Sequence, residues 1–302
     1  MGKFSLLVLV CAGSAAGVSI DNGVTGDGRL VANITNGGQI SALQLDPAGV
    51  LTLQNILYGS YISLNGTSLQ NTTITSVAAL AGGGVSSSGT FAGPNGSITW
   101  TVLATLTAGS QVLGLTVNLS STSAFGAVRL VHYVDQDVLG SSNNLIVIPT
   151  TGGTELLTVA TGQQVGLGHA ADGAGATGAT YDGWAAGRYS ALQTAVGNNS
   201  QGFSPAGVIN GLAGISDSRY PGLTAYGTAD IESAHSFTLT PAGTSASATF
   251  YLGGSPSGAP TGNATVPEPS TYLLLCSALA VLSWRTGGLK NRAPRSPPMR
   301  RP

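Results

Sequence analysis

Apolar and polar residues alternate with a period of two along much of the chain. The clearest run is residues 97–107, where Ile98, Trp100 and Val102 recur on one side and polar residues lie between them. Side chains two positions apart share one face of a strand, so this run predicts a strand with one buried face. The same alternation predicts strands at residues 111–119, 126–139, 144–148 and 155–161, and a closing strand pair at 236–252.

Turn-forming residues separate these runs at intervals of about 10–15 residues, as in antiparallel β-sandwiches. We therefore predict an all-β fold, an antiparallel β-sandwich of about a dozen strands. One stretch, residues 184–196, has helical spacing instead, with Trp184, Leu192 and Val196 along one side, and predicts one short docked helix. No repeat of fixed period is present, which argues against a propeller or a solenoid.

Charge is scarce and unevenly distributed among the 302 residues. Only 8% of residues are charged, whereas 42% are hydrophobic and 45 are glycine, so the composition is not that of a charge-rich disordered chain. Residues 20–266 contain four arginines, no lysine and eleven acidic residues. Nucleic acid binding depends on lysine and arginine neutralising phosphates, so we expect no nucleic acid partner.

The N-terminus has the features of an export signal. Lys3 supplies a positive charge, residues 6–12 form a short apolar core, and residues 14–16 are small. This order is typical of a secretory signal peptide, which we assign to residues 1–19. The alternative is a buried first strand.

A second apolar segment lies near the C-terminus. Residues 255–266 form a linker rich in Pro, Gly and Ser, and the triplet Pro267, Glu268 and Pro269 follows. Residues 271–284 are apolar and predict a C-terminal hydrophobic helix, and residues 285–302 form a basic tail without acidic residues. The body is then residues 20–254, and the sorting segment is residues 267–302.

This arrangement resembles the PEP-CTERM sorting signal of Gram-negative bacteria, in which a Pro-Glu-Pro triplet precedes an apolar segment and a basic cluster. The resemblance implies recognition of Pro267, Glu268 and Pro269 by an exosortase-type membrane protease. It also implies transient inner-membrane anchoring, followed by delivery to the cell surface or the extracellular matrix. The alternative for the same residues is a plain C-terminal membrane anchor.

The densest group of polar residues lies within residues 129–137. On a strand, Arg129, Val131, Tyr133, Asp135 and Asp137 share one face. Two uncompensated carboxylates this close raise each other's pKa or recruit a cation, for which calcium is the candidate. Two alternatives remain for the same aspartates: a pair that caps the following turn, or the two carboxylates of a glycosidase.

Other candidate features are weaker. His132, His169 and His235 are far apart in sequence and lack the close spacing of a zinc motif. The glycine-rich stretch at residues 166–171 has no βαβ context, so a dinucleotide loop is not predicted. Four aromatic residues are candidates for stacking on sugar rings, and they are Tyr181, Trp184, Tyr189 and Tyr220.

These observations favour a non-enzymatic exported protein of the cell surface or matrix, without catalytic residues and with no cofactor beyond the candidate calcium ion. The expected partners are the exosortase and extracellular polysaccharide. The alternatives are a secreted carbohydrate-binding module or a carbohydrate-active enzyme.

Overall fold

The computed structural model describes residues 17–47, 52–81, 83–140, 143–148, 155–160, 165–197, 205–220 and 222–255. Twenty strands and one α-helix lie within these residues. In chain order the strands are β1 (Val18–Asp21), β2 (Leu30–Ile34), β3 (Ile40–Leu45), β4 (Gln54–Leu57), β5 (Gly59–Leu64), β6 (Thr67–Ser68), β7 (Thr73–Leu80), β8 (Gly84–Gly93), β9 (Gly96–Leu106), β10 (Val112–Ser121), β11 (Arg129–Asp135), β12 (Asn144–Ile148), β13 (Glu155–Ala160), β14 (Gly166–Thr177), β15 (Ala179–Arg188), β16 (Ala206–Asn210), β17 (Gly214–Ile215), β18 (Thr224–Ala229), β19 (Ile231–Leu239) and β20 (Ser245–Ser255).

The strands form two sheets of ten. The first has the order β1-β2-β3-β5-β11-β19-β15-β16, with β4 paired to β3 and β6 paired to β5. The second has the order β17-β18-β12-β13-β14-β20-β10-β9-β8-β7. Neighbouring strands are antiparallel except β15 and β16, which are parallel. Strands distant in sequence therefore lie side by side, as β10 and β20 do.

Side chains from both sheets enter one hydrophobic core. In β9, Ile98, Trp100 and Val102 are buried and the residues between them are not, as the two-residue period predicts. Phe237 of the first sheet packs edge-on against Phe250 of the second, with ring centroids 5.5 Å apart. Burial of these apolar side chains is the main favourable contribution to folding.

The single helix, α1 (Tyr189–Gly197), directly follows β15. Its buried residues Leu192 and Val196 pack against Val131 of β11 and Ala234 of β19. The helix begins later than the sequence pattern predicts, because Trp184 belongs to β15 and pairs with His235 of β19. Among the described residues, no helix has the length and apolar character needed to cross a membrane.

The prediction of a mostly β fold with one short helix is confirmed. The dozen predicted strands are too few, because strands of two to four residues such as β1, β4, β6 and β17 are too short to show a period in sequence. The predicted hydrophobic helix at residues 271–284 lies outside the described residues. So do residues 1–16 of the signal peptide predicted for residues 1–19 and residues 256–266 of the predicted linker, whereas Val18 and Ser19 belong to β1 and Ser255 ends β20.

A glycine in β20 brings the second sheet close to the first. A methyl group on Gly254 meets methyl carbons of Leu45, Leu30 and Ile56 at 3.0–3.3 Å, closer than normal van der Waals contact. At the neighbouring Gly253, the nearest atoms lie at 3.6 and 3.8 Å, which is ordinary contact distance. Position 254 therefore has no room for a larger side chain without displacing the core.

We expect Gly254→Val to lower the free energy of unfolding by about 1–3 kcal/mol, because overpacking forces neighbouring side chains and backbone to shift. Gly253→Ala, the matched control on the same strand, should change it by less than about 0.5 kcal/mol. Urea unfolding followed by circular dichroism measures both. Equal stability of the two variants would contradict the close approach of the sheets at Gly254.

Candidate functional site

Strand β11 presents two different sets of polar residues, one on each face. Val131, Tyr133 and Asp135 lie on the face that α1 partly covers, which we call the outer face of the first sheet. His132 lies on the opposite, inner face, which meets the second sheet. Because side chains alternate along a strand, neighbouring residues of β11 reach separate environments only a few ångströms apart.

Four carboxylates meet at one end of the outer face, and we call them the carboxylate cluster: Asp135, Asp137, Asp230 and Glu232. Asp135 and Glu232 are direct cross-strand partners on β11 and β19, which places their Cβ atoms about 4.5–5.5 Å apart. The ladder continues with a hydrogen bond from the Gln136 amide to the Ile231 carbonyl, 3.1 Å long. One carboxylate oxygen from each of the three aspartates lies within 4.8 Å of the others.

Burial raises the pKa of every carboxylate in the cluster, and repulsion from neighbouring acids adds to the effect at Asp135, Asp137 and Glu232. The pKa of Asp135 rises to about 7, first through burial and then through Asp137 and Asp230. The pKa of Glu232 rises to about 9, mainly through burial and then through Asp135, although the backbone amide of Gln193 acts in the opposite direction. Burial also raises the pKa of Asp137 and of Asp230.

Few groups compensate this negative charge. Both carboxylate oxygens of Glu232 and one oxygen of each aspartate are buried without a hydrogen bond of normal geometry from a described residue. The described residues include no lysine and four arginines. Each of these arginines has a partner elsewhere: Asp21 for Arg29, Asp182 for Arg129, the Gly211 carbonyl for Arg188 and Asp217 for Arg219.

Backbone hydrogen bonds fix the positions of the three aspartates. The carbonyl of Asp135 accepts from the amide of Tyr58 at 3.0 Å, and that of Asp230 accepts from the amide of Tyr189 at 3.1 Å. The carbonyl of Asp137 accepts from the amide of Gly140 at 2.9 Å. Two tyrosines are therefore anchored directly beside the carboxylates.

Four tyrosines surround the cluster, and we call them the tyrosine group: Tyr58, Tyr61, Tyr133 and Tyr189. Tyr61 and Tyr133 are cross-strand partners whose rings stack with centroids 4.8 Å apart and planes 17° apart. Tyr58 is 65% exposed and Tyr189 is 37% exposed, whereas the stacked pair is partly buried. The pKa of Tyr133 is raised, first by burial and then by Glu232, which also indicates that this ring lies near the cluster.

The inner face of the same strands contains a buried polar network. We call it the histidine network, and it comprises His132, His169, His235, Ser60, Ser233, Tyr181, Gln136 and Thr158. His132 and His235 are cross-strand partners in the first sheet. His169 comes from β14 of the second sheet, and its Nε2 lies 3.0 Å from Nδ1 of His132. All three histidines are fully buried.

The hydrogen bonds fix the tautomer of His235 and allow an order in which all three rings are neutral. Nε2 of His235 lies 3.1 Å from the carbonyl of His169 and must donate to it, so Nδ1 accepts from the Tyr181 hydroxyl at 2.8 Å. Ser233 accepts from the Gln136 side chain at 2.8 Å and is free to donate to Nδ1 of His169 at 2.7 Å. His169 then donates to His132, which donates to Ser60. Neutral rings satisfy every bond in this order.

Burial holds the histidines in their neutral forms. The pKa of His132 falls to about 3 and that of His235 to about 4, in each case chiefly through burial. Burial also lowers the pKa of His169, and the two other histidines add to the effect. An added proton would place two donors face to face within the network, so this set is suited to joining the sheets and is not accessible to a substrate.

The outer face has chemistry that the inner face lacks. Its three aspartates offer oxygen ligands to a divalent cation. Their spacing is also close to the roughly 5–5.5 Å that separates the two carboxyl groups of retaining glycosidases. The exposed rings of Tyr58 and Tyr189 offer flat apolar surfaces with a polar edge, which suit sugar rings.

The structure places the sequence-predicted site residues in different environments. Asp135 and Asp137 do lie together, and Asp230, which directly precedes β19, and Glu232 of β19 join them from almost 100 residues later. Of the four aromatic residues predicted to stack on sugars, only Tyr189 is exposed.

The other three predicted aromatics contribute to the interior. Tyr220 is 5% exposed, Tyr181 belongs to the histidine network, and Trp184 packs partly buried beside Ile146 and Ile231. Exposure of these three residues was predicted, but the fold turns their side chains inwards. Pro267, Glu268 and Pro269 lie outside the described residues.

Comparisons with known proteins add a fold similarity. No protein-family model matches the chain, and no curated protein matches it. The structure is similar to the crystal structure of a bacterial glucoamylase complexed with acarbose, with a TM-score of 0.55 and 12% sequence identity. The match covers 86% of this chain and 35% of the glucoamylase, so the chain spans about a third of that protein's length.

A second solved structure, described as a kojibiose phosphorylase from the human microbiome, gives a TM-score of 0.38 at 10% identity. The match covers 81% of this chain and 26% of that one, and at this score it carries no argument about the fold.

The prediction of a non-enzymatic surface protein is wrong in the light of these comparisons. The finding that overturns it is the fold shared with part of the glucoamylase structure. Periodicity and composition gave no indication of this, because the similarity lies in the arrangement of the strands and only 12% of aligned residues are identical. At that identity the similarity shows the fold alone.

The histidine network predicts a distinct pH response. The pKa values of its histidines are lower in the folded state than the usual value near 6.5. The contribution of the neutral rings to the stability of the fold is therefore fully present above pH 6.5. It is lost as the pH falls towards about 4, the pKa of His235, and about 3, the pKa of His132. The chain has only three histidines, so NMR titration of histidine ring protons observes no others. We expect no ring of the folded protein to titrate between pH 7.5 and 5, while all three titrate near 6.5 in urea. A folded-state midpoint near 6.5 would contradict the network.

Proposed function

We propose that the chain is a secreted β-sandwich of the carbohydrate-active class that binds polysaccharide on the outer face of its first sheet. The observation that carries this proposal is the tyrosine group beside the carboxylate cluster. Two exposed rings, Tyr58 and Tyr189, flank the acids, and the stacked pair of Tyr61 and Tyr133 lies between β5 and β11.

This surface combines the two kinds of contact that sugars require. Tyrosine rings offer apolar area to the C–H faces of a pyranose, and carboxylates accept hydrogen bonds from hydroxyl groups. Asp137 and Asp230 are partly exposed, so their carboxylates offer acceptors at the surface, and sugar hydroxyls are donors. The fold shared with part of a glucoamylase supports an α-glucan as the first polysaccharide to test.

Export and sorting form the second part of the proposal. The export signal at residues 1–19 and the PEP-CTERM-like segment at residues 267–302 support delivery through an exosortase to the cell surface or matrix of a Gram-negative bacterium. The acidic, lysine-free body suits a hydrated extracellular environment and not a surface of anionic lipids.

We expect Tyr58→Ala and Tyr189→Ala each to weaken polysaccharide binding roughly 2- to 12-fold, the factor that corresponds to losing one aromatic contact. Affinity electrophoresis in gels containing soluble α-glucan or purified exopolysaccharide measures this. Tyr251→Ala is the control, because Tyr251 is partly exposed on the second sheet and outside the tyrosine group.

If polysaccharide retards the wild-type protein and both tyrosine variants equally, binding does not occur at this face. An equal loss of retardation in Tyr251→Ala would contradict it as well. Release of reducing sugar in the same samples, lost in Asp135→Asn, would extend the function of this face from binding to hydrolysis.

The sorting proposal predicts a separate result. Replacing Pro267, Glu268 and Pro269 with alanine would let the helix predicted for residues 271–284 extend towards the cleavage region, because proline costs about 3 kcal/mol in a helix interior and alanine is the best helix former. We expect this variant to accumulate in the inner membrane with its signal peptide removed. Intact-mass analysis of membrane and surface fractions measures this, and normal release in a host with an active exosortase would contradict it.

A further inference from the structure

The carboxylate cluster lacks the positive charge that buried acids normally require. Its four acids carry five buried oxygens without a well-formed hydrogen bond from the described residues. Buried polar atoms are nearly always satisfied in folded proteins, so a concentration of unsatisfied acceptors requires an explanation. The four described arginines all have partners elsewhere, so no basic side chain of the described residues is assigned to the cluster.

The spacing of the aspartates fits a single metal ion. Calcium binds oxygen ligands at about 2.3–2.6 Å, so two ligands of one ion are separated by at most about 5 Å. The three aspartate oxygens lie within 4.8 Å of one another. Backbone hydrogen bonds at all three carbonyls fix the backbone positions from which these side chains extend.

Glu232 provides a second and independent indication of a ligand. Its side chain is fully buried, and although the backbone amide of Gln193 lies close enough to lower its pKa, neither carboxylate oxygen has a hydrogen bond of normal geometry from a described residue. The strand register directs it to the same face as its cross-strand partner Asp135. An isolated buried carboxylate is strongly unfavourable unless it is protonated or faces a positive charge.

We propose that Asp135, Asp137 and Asp230 bind one Ca²⁺ ion, with Glu232 as a fourth carboxylate behind them that adds negative charge to the site. Oxygen-only ligands select hard cations, whereas zinc prefers histidine and cysteine. The flexible coordination of calcium suits three ligands from separate chain positions better than the strict octahedron of magnesium. Asp137 and Asp230 are partly exposed, so water completes the coordination on that side.

This inference is independent of the proposed polysaccharide binding, because it rests on the acids alone. It changes the interpretation of the outer face, however. Carboxylates that coordinate a cation remain ionised and have no proton to donate, so a bound ion excludes Asp135 as a catalytic acid. An open position on the ion would instead face the exposed side of the cluster, next to Tyr58 and Tyr189.

The first experiment uses the full chain after removal of metal ions with a chelator. Sites in extracellular modules bind calcium with dissociation constants of about 0.1–1 mM. We therefore expect 10 mM CaCl₂ to raise the melting temperature by about 3–10 °C, and 10 mM MgCl₂ to raise it by less. The shift should vanish in Asp137→Asn and Asp230→Asn and persist in the control Asp27→Asn, which removes one exposed aspartate elsewhere.

The second experiment requires no variant to fold. Terbium(III) replaces calcium at oxygen sites and becomes luminescent when a nearby tyrosine transfers its excitation. The tyrosine group lies beside the proposed site, so excitation of the wild-type protein at 280 nm should produce terbium emission that millimolar Ca²⁺ displaces. Absence of this emission together with an unchanged melting temperature in 10 mM CaCl₂ overturns the proposal. A calcium shift that survives in Asp137→Asn overturns it as well.

The two proposals for this face fail in different ways. If calcium has no effect on the melting temperature but polysaccharide still retards the protein, the calcium proposal fails and the proposed sugar binding stands. If the protein binds calcium but is not retarded in polysaccharide gels, the calcium proposal stands and the proposed function fails.

Discussion

The pairing of β11 with β19 determines both polar regions of this protein. In the observed register, His132 lies opposite His235 and Asp135 lies opposite Glu232. A slip of β11 by one residue would turn every side chain of that strand to the opposite face of the sheet. Asp135 would then enter the core between the sheets, and His132 would leave the hydrogen bonds that join it to the second sheet. The observed register is therefore favoured because the slipped register would leave many more buried polar groups without hydrogen bonds.

The two faces handle buried polar groups in opposite ways. On the inner face, neutral histidines donate and accept in sequence until each ring nitrogen has a partner, and the second sheet contributes His169 to that order. A fully satisfied network of this kind rigidifies a core and specifies one arrangement of its sheets. On the outer face, Glu232 and the aspartates retain unsatisfied oxygens. Buried polar atoms without partners concentrate at functional sites, because a protein keeps them only where function outweighs the loss of stability.

The sequence predicted the elements whose evidence is local. Alternation in residues 97–107 and 144–148 corresponds closely to β9 and β12, and the common face of Tyr133 and Asp135 followed from the same period. Features that depend on strand order were not predictable. The glycine-rich β14 has little hydrophobic period of its own and is a strand because β13 and β20 pair with it on both sides. His169 joins His132, and Glu232 joins Asp135, across 37 and 97 positions of sequence, for which spacing gives no signal.

The composition of the body explains why the carboxylate cluster requires a partner from solvent. A chain with lysines nearby would place an ammonium group beside four acids, but the described residues contain no lysine. Protons are one substitute, and the raised pKa of Asp135, to about 7, indicates that this residue would retain its proton up to neutral pH without a cation. Retaining protons neutralises the charge but still leaves several oxygens without donors. A divalent cation would neutralise the negative charge and bind the carboxylate oxygens at the same time. The scarcity of basic residues and the geometry of β11 and β19 therefore both point to a cation site at these four acids.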